Sequence, residues 1–416
     1  MIRVPGEVRI RTAREQDVDA LLSIHFAVFP DGRGREARRR NFCDNPRGAL
    51  EDLHVAEVGG RVVGHGFLFG MEAWIGGRPV GVGGVASIGV APEARRAGIA
   101  HAILAHLLQK MRARGTPLSM LYPFRHDFYR KLGWGLTSAM HRYRLRPSSL
   151  PLYPERGRVR AAEPSDLGAI RRCYERAAAR ATGLLSRNEP VWHAMLSPEV
   201  VRVAVVPADE PSRAIDGYLC YRMLPEVGTQ AIELEVTELV AVTDTARFAL
   251  LGFLSSQRDQ ISRVQLALPT DDPLLPILSD PRGPSGELVR GLLMITGDLV
   301  VGAMTRIVNL TAALRARAWE AAEGEIALSM DDAWAPDNVQ PVTLRVAAHV
   351  GEVTPGRREG VPLLEAEPAV MAQIYMGHLT PSQAVAARLA KVEPLTALGA
   401  ADALLRTRPA NTLDVF

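Results

Sequence analysis

Cysteine is scarce in this chain. Cys43, Cys173 and Cys220 are far apart, odd in number and without a Cys-x-x-Cys pair. That pattern excludes a disulfide framework and a cysteine zinc site, and it fits a reducing, cytoplasmic location. Lysine is equally rare: Lys110, Lys131 and Lys391 are the only ones, so the basic residues are almost all arginine. A net charge of +3 over 416 residues predicts no polyanion partner, and no nucleic acid is expected. The opening Met-Ile-Arg-Val-Pro-Gly-Glu lacks an apolar core, so no secretory leader is expected. The longest charge-free stretch, 368–387, is broken by Gln373, His378, Pro381, Ser382 and Gln383, so no membrane span is expected either. Neither a dinucleotide fingerprint nor a Walker loop is present.

Apolar residues at 47% and charged residues at 23% are a globular composition, long enough for two or three domains. The richest segment runs from Val85 to Ala102. A β-branched run ends at Val90, a short Pro92 turn follows, and Arg95-Arg96-Ala97-Gly98-Ile99-Ala100 leads at once into a helical pattern. The first amides of a helix have no partner inside it, and the dipole adds about half a positive charge there. Gly98 and Ala100 keep side chains clear, so such a turn is an anion cradle suited to a diphosphate. The same residues would also serve as an ordinary exposed basic helix start.

The chain repeats its own beginning. Arg9-Ile-Arg-Thr-Ala, with Asp17 and Leu21 beyond it, returns as Arg158-Val-Arg-Ala-Ala, with Asp166 and Ile170. Each copy reads as a short strand, an Asp at a helix start and a helix. In the second copy the strand Ile232–Val242 leads into Thr243-Asp244, with no Gly turn and an acidic helix start that would repel a diphosphate. Residues 274–286 read as loop. Beyond Gly302 the pattern changes to a helix over 305–321, strands over 325–331 and 342–350, and helices over 368–376, 382–391 and 395–406, a third α+β unit.

The Arg95-x-x-Gly98-x-Ala100 turn resembles the pyrophosphate-gripping motif of the GCN5-related N-acetyltransferases (GNAT). Tyr122-Pro-Phe-Arg-His-Asp-Phe-Tyr129-Arg-Lys-Leu-Gly-Trp-Gly135 resembles the segment of that class whose tyrosine lies beside the thioester sulfur. The tail Leu413-Asp-Val-Phe416, three apolar residues in four, suggests a docked terminus. Together with the repeat, these pieces resemble the Eis (enhanced intracellular survival) acetyltransferase family over essentially the whole chain. The resemblance implies an α/β (α+β) architecture. It has a catalytic GNAT domain over 1–150, a second GNAT-like domain without the cofactor motif over 151–300, both with mixed central sheets, and a sterol-carrier-protein-like domain over 301–416.

What the resemblance implies for chemistry is specific. Acetyl-coenzyme A would be the donor, with the backbone of Ile88, Gly89 and Val90 along its pantetheine. Amides of Arg96, Ala97, Gly98, Ile99 and Ala100 would hold its diphosphate, with Arg95 at the rim and Phe124 at the thioester end. Tyr129 would protonate the departing thiolate, and the terminal carboxylate of Phe416 would accept the proton of a primary amine; no metal is required. Phe29 and Asp31 are candidates for the acceptor side, and His25, His65 and His126 for extra bases. Arg33, Arg35, Arg38, Arg39 and Arg40 would disfavour a strongly cationic acceptor if their loop faced the site; the preferred reading is a solvated, mobile loop. Aminoglycoside, polyamine and lysine-type amines remain open as acceptors, and the C-terminal domain reads as scaffold rather than lipid binder. A homo-oligomer, a hexamer by resemblance, is expected. The rival reading is a non-catalytic acyl-coenzyme A or lipid-binding protein.

Overall fold

The computed structural model describes residues 7–29, 32, 34–197, 199, 201–209, 214–225, 228, 231–283, 288–321 and 323–416. The chain divides into two compact units: Met1–Thr137 with Ala303–Arg408 and Asp414–Phe416, and Ser138–Gly302 with Pro409–Leu413.

The first unit begins with strand β1 (Arg9–Thr12), helices α1 (Val18–Val28) and α2 (Arg35–Cys43), and the antiparallel strands β2 (Leu53–Val58), β3 (Arg61–Ile75) and β4 (Arg78–Val90). Helix α3 (Ile99–Ala113) crosses to strand β5 (Leu118–Leu121), which runs parallel to β4; helix α4 (His126–Arg130) and strand β6 (Gly135–Leu136) follow. Helix α3 forms because Ile99, Ile103, Leu104, Leu107, Leu108 and Met111 share one apolar face, buried against Leu68, Val85 and Leu121. Lys110 and Arg112 complement its carboxyl end, and Gly115 at φ 68° turns the chain out.

The second unit repeats the plan. Strands β7 (Ala139–Leu145) and β8 (Arg160–Ala161) precede helices α5 (Leu167–Ala178) and α6 (Glu189–Met195). Strands β9 (Arg202–Pro207), β10 (Ile215–Pro225) and β11 (Ile232–Ala241), helix α7 (Asp244–Ser256), and strands β12 (Ile261–Pro269) and β13 (Gly297–Val301) complete it. Its sheet has the order β8-β9-β10-β11-β12-β7-β13, with β11 and β12 parallel.

The chain then returns to the first unit through strand β14 (Met304–Ile307) and helix α8 (Leu310–Ala316). The first sheet therefore reads β1-β2-β3-β4-β5-β14-β6. Each sheet receives a strand that follows the other repeat: β14 completes the first, and β7 the second. The expected division at residue 150 thus lies downstream of the strand that already belongs to the second sheet. A helix over 305–321 is also corrected: residues 304–307 pair antiparallel with β5, and the helix starts only at Leu310. Beyond it, strands β15 (Glu323–Ser329), β16 (Val342–Ala347), β17 (Val350–Pro355) and β18 (Leu363–Ala366) join helices α9 (Pro368–Tyr375) and α10 (Pro381–Ala386), strand β19 (Ala390–Glu393) and helix α11 (Leu398–Leu404). Their sheet order is β17-β16-β15-β18-β19. The helix expected over 382–391 stops at Ala386, because Ala390–Glu393 pairs with β18.

The internal repeat has a physical reason. Asp17 accepts Arg11 Nη1 at 2.7 Å and the Arg14 amide at 2.8 Å. Asp166 accepts Arg160 Nη1 at 2.6 Å and the Glu163 amide at 2.8 Å. The same pair thus ties the first strand to the first helix in both copies. The arginine partner holds each carboxyl below the usual carboxylate range. Asp17→Asn or Asp166→Asn should cost about 1–3 kcal/mol at neutral pH. As pH falls below roughly 4, the unfolded chain takes up these protons first, so the contribution of both pairs is lost and the variants converge with the parent. Urea midpoints at pH 7 and pH 3 read both effects.

Candidate active site

Strands β4 and β5 start paired and then part. Their register runs from Val82 opposite Leu118 to Val85 opposite Leu121, where β5 ends, while β4 continues to Val90. From Ala86 onward β4 keeps β3 on one side and no strand on the other. A bulge lies in this stretch: between the pairs His65–Gly89 and Phe67–Ala86, Ser87 and Ile88 oppose Gly66 alone, and Ser87 has φ 49°. Ile88, Gly89 and Val90 thus sit on a free strand edge beside the opening.

The chain turns from that edge straight into α3. Arg96 at φ 61° and Gly98 at φ 82° place left-handed residues in the turn, and Ile99 starts the helix. Its first internal bond is Ala102 N–H to the Gly98 carbonyl at 3.0 Å, so the preceding amides have no helical partner. Among the described residues no side chain caps this end, and nothing lies within 4 Å of where a Gly98 Cβ would stand. Arg95, Arg96 and Gly98 are exposed, Ala97 and Ala100 half-buried and Ile99 buried. The counterpart in the second unit is closed: the Thr243 hydroxyl accepts the Ala246 amide at 3.2 Å, and Asp244 opens α7.

Across the opening, Tyr129 is buried on α4 with its ring against Phe128 at 5.1 Å and Phe124 at 5.4 Å. Its hydroxyl has no hydrogen-bond partner among the described residues, and burial raises the phenol pKa, so the group stays protonated. Phe124 is 65% exposed. Gly133 at φ 89° closes the α4 turn, and the Trp134 amide donates to the Tyr129 carbonyl at 3.1 Å. The turn is clamped by Arg306 of β14. Its guanidinium donates to the Leu132 carbonyl, lies 5.4 Å from the Trp134 ring and makes two bonds to Asp332 at 2.6 and 2.8 Å.

Phe416 lies at the same end of the sheet. Its ring is 5.5 Å from that of Tyr122, the first residue after β5, and a Cβ on Gly84 would come within 3.3 Å of it. Behind the bulge, His65 is fully buried with its imidazole over Gly89; burial first, then His25, lowers its pKa to about 3. That makes it a poor proton acceptor near neutrality. His25 stacks on Phe29 at 4.8 Å, and His126 is exposed. Asp31 and Arg33 lie outside the described residues. The expected loop over the arginines is instead α2, where Arg35 pairs with Asp19 at 2.8 Å, Arg39 with Glu15, and Arg38 is buried. The Ser87 bulge and the Arg306–Asp332 clamp carry no local sequence signal; the clamp requires knowing that residues 304–307 join the first sheet.

Residues 9–137 match the acetyltransferase (GNAT) domain family, 183–307 match a second acetyltransferase (GNAT) domain family, and 310–413 match the sterol carrier protein domain family. The chain is therefore an acetyltransferase built from two GNAT folds and a sterol-carrier-type domain. It is a homologue of the Eis acetyltransferases: it is 26% identical to N-acetyltransferase Eis of Mycobacterium tuberculosis over 404 residues, 92% of this chain and 93% of that one. Its fold is similar to the crystal structures of a GCN5-related N-acetyltransferase from Anabaena variabilis (TM-score 0.84, 22% identity, 99% of this chain and 100% of that one) and of Eis1 from Mycobacterium abscessus (0.78, 23%, 99% and 100%). These relatives set aside the reading as a binding protein without catalysis.

A Cβ at residue 89 would sit 2.6 Å from the His65 Nε2. Gly89→Ala should therefore destabilise the first unit by about 1–3 kcal/mol. Adding His65→Ala should recover part of that loss in urea melts, because the ring that blocks the methyl is gone.

Proposed function

We propose that this chain transfers the acetyl group of acetyl-coenzyme A to a primary amine in a ternary complex. The observation that carries the reading is the open amino end of α3 lying directly beyond the free edge of β4. Amides of Arg96 to Ala100, with Arg95 at the rim, hold the diphosphate. The edge at Ile88, Gly89 and Val90 pairs with the pantetheine amides, and an amide near Val90 polarises the thioester carbonyl. Phe124 lines the thioester end. The Phe416 carboxylate takes the proton of the attacking amine, and Tyr129 gives its own to the leaving thiolate.

The sterol-carrier-type domain serves as scaffold: an apolar cavity lined by Leu310, Leu314, Trp319, Met371 and Tyr375 admits only about 10 Å³, roughly one water. A homo-oligomer is part of the reading, up to the hexamer of the family. Leu292 (84% exposed), Leu293 and Leu299 give the second unit an apolar surface suited to association. Among the described residues no helix is long and apolar enough to cross a membrane; the cytoplasm and an acceptor other than nucleic acid complete the reading.

Thiol release from acetyl-coenzyme A with tobramycin, spermidine, 2-phenylethylamine and Nα-acetyl-lysine amide tests the proposal. At least one amine should be turned over. Removing Phe416, or Tyr129→Phe, should cut turnover by about 10²–10⁴ while acetyl-coenzyme A affinity changes little. Full turnover without Phe416, or no transfer to any of the four, would overturn it.

A further inference from the structure

We propose that Arg47 is the positioning residue that latches the chain terminus into the active site, acting through Asp414. The inference rests on Phe416 being the proton acceptor, and its starting point is the way the tail is seated.

Chain ends fray unless something holds them. An apolar tail would be expected to dock through all its apolar side chains, but here only the Phe416 ring does so. Leu413 and Val415 are 39% and 76% exposed, whereas the Asp414 side chain between them is fully buried. A carboxylate is driven out of water only toward a partner. One such partner is Arg47, whose side chain is 8% exposed, with Nη2 at 3.2 Å from Asp414 Oδ1 across 367 residues of sequence. The seat is therefore in part electrostatic: Asp414 points inward while Leu413 and Val415 stay outside.

Arg47 is suited to this task by its place in the chain. It stands in the tight turn between the short strands Asp44–Asn45 and Gly48–Ala49, immediately after α2. The Asn45 Oδ1 accepts the Arg47 amide at 2.9 Å, which fixes the turn. A second anchor acts on the backbone: the Tyr122 hydroxyl donates to the Asp414 carbonyl at 2.7 Å. Burial, then the charge of Asp414, raises the Tyr122 pKa, so this donor is kept. The third element is space, since Gly84 leaves room where the Phe416 ring lies. Arg47 and Tyr122 thus grip the residue two positions before the end, and only Val415 separates the grip from the terminal residue. Without Arg47 the buried Asp414 carboxylate loses its guanidinium partner, which shifts the balance toward leaving the seat.

The latch can be read without any acceptor. Carboxypeptidase Y on the native full-length chain, followed by mass spectrometry, measures release of Phe416. Arg47→Gln and Asp414→Asn should each speed release by at least about tenfold, as expected where cleavage tracks the open population. Tyr122→Phe should do so more weakly, and Arg47→Lys should regain part of the protection, because it keeps the charge but not the fork. With the four amines above, Arg47→Gln should lower kcat by at least roughly tenfold with acetyl-coenzyme A affinity nearly unchanged, and should add nothing once Phe416 has been deleted. A merely structural role would lower stability and turnover further in the deletion background. Release at the parental rate, or full turnover of Arg47→Gln when deletion of Phe416 abolishes it, would overturn the latch. If the chain lacking Phe416 turns over normally, the proton-acceptor role fails instead, and the release rates still decide whether Arg47 holds the tail.

Discussion

The site depends on the point where β4 outruns β5. Up to Val85 and Leu121 the two strands satisfy each other; beyond it, five residues of β4 keep a free edge, and α3 begins where that edge ends. A strand edge, a helix end and a wedge of open space come from one geometric fact. The second unit parts its strands in the same way: β11 pairs with β12 only to Val236 opposite Leu266 and continues to Ala241. Its helix end is closed by Thr243 and made negative by Asp244, so the same wedge offers no seat to an anion. The two copies differ in the turn after the strand: open at Gly98, capped at Thr243.

The turn that carries Tyr129 is held by residues far along the chain. Arg306 and Asp332 have side chains 0% and 1% exposed, so each charge is answered chiefly by the other rather than by water. Asp332 also accepts the Trp334 and Ala335 amides, each at 3.1 Å, and Asn338 Nδ2 at the same distance. Burying such a pair is costly unless every lone pair is used, and here the set is nearly complete. Its other product is the fixed Leu132 carbonyl, and through that turn the placement of Tyr129. The sterol-carrier-type domain thus takes part in shaping the acetyltransferase turn.

Much of this was legible in the chain. The repeated Arg-x-Arg…Asp pattern reported a real strand-to-helix tie, because Arg11–Asp17 and Arg160–Asp166 are local. The turn at 95–100 was legible for the same reason: its glycine and its helix are neighbours in sequence. Residues 305–307 read as helix because Ile307, Leu310 and Leu314 share one helical face, and nothing local reveals a strand slot waiting in another sheet. The arginines of α2 were read as loop because charge density obscured the buried Phe42 and Arg38. The tail reads as apolar, yet its single acid, Asp414, is buried while Leu413 and Val415 are exposed. In each failure, a partner hundreds of residues away, or a buried charge, outweighed local preference.

The exchange of strands also fixes an order of events in the life of the chain. A polypeptide emerging from the ribosome presents residues 9–137 first, yet the slot between β5 and β6 stays empty until 304–307 are made. The first copy must wait, edge unsatisfied, through the synthesis of the whole second copy. The dependence runs one way: the second sheet is built from the continuous stretch 139–301, whereas the first is complete only when a strand made after it arrives.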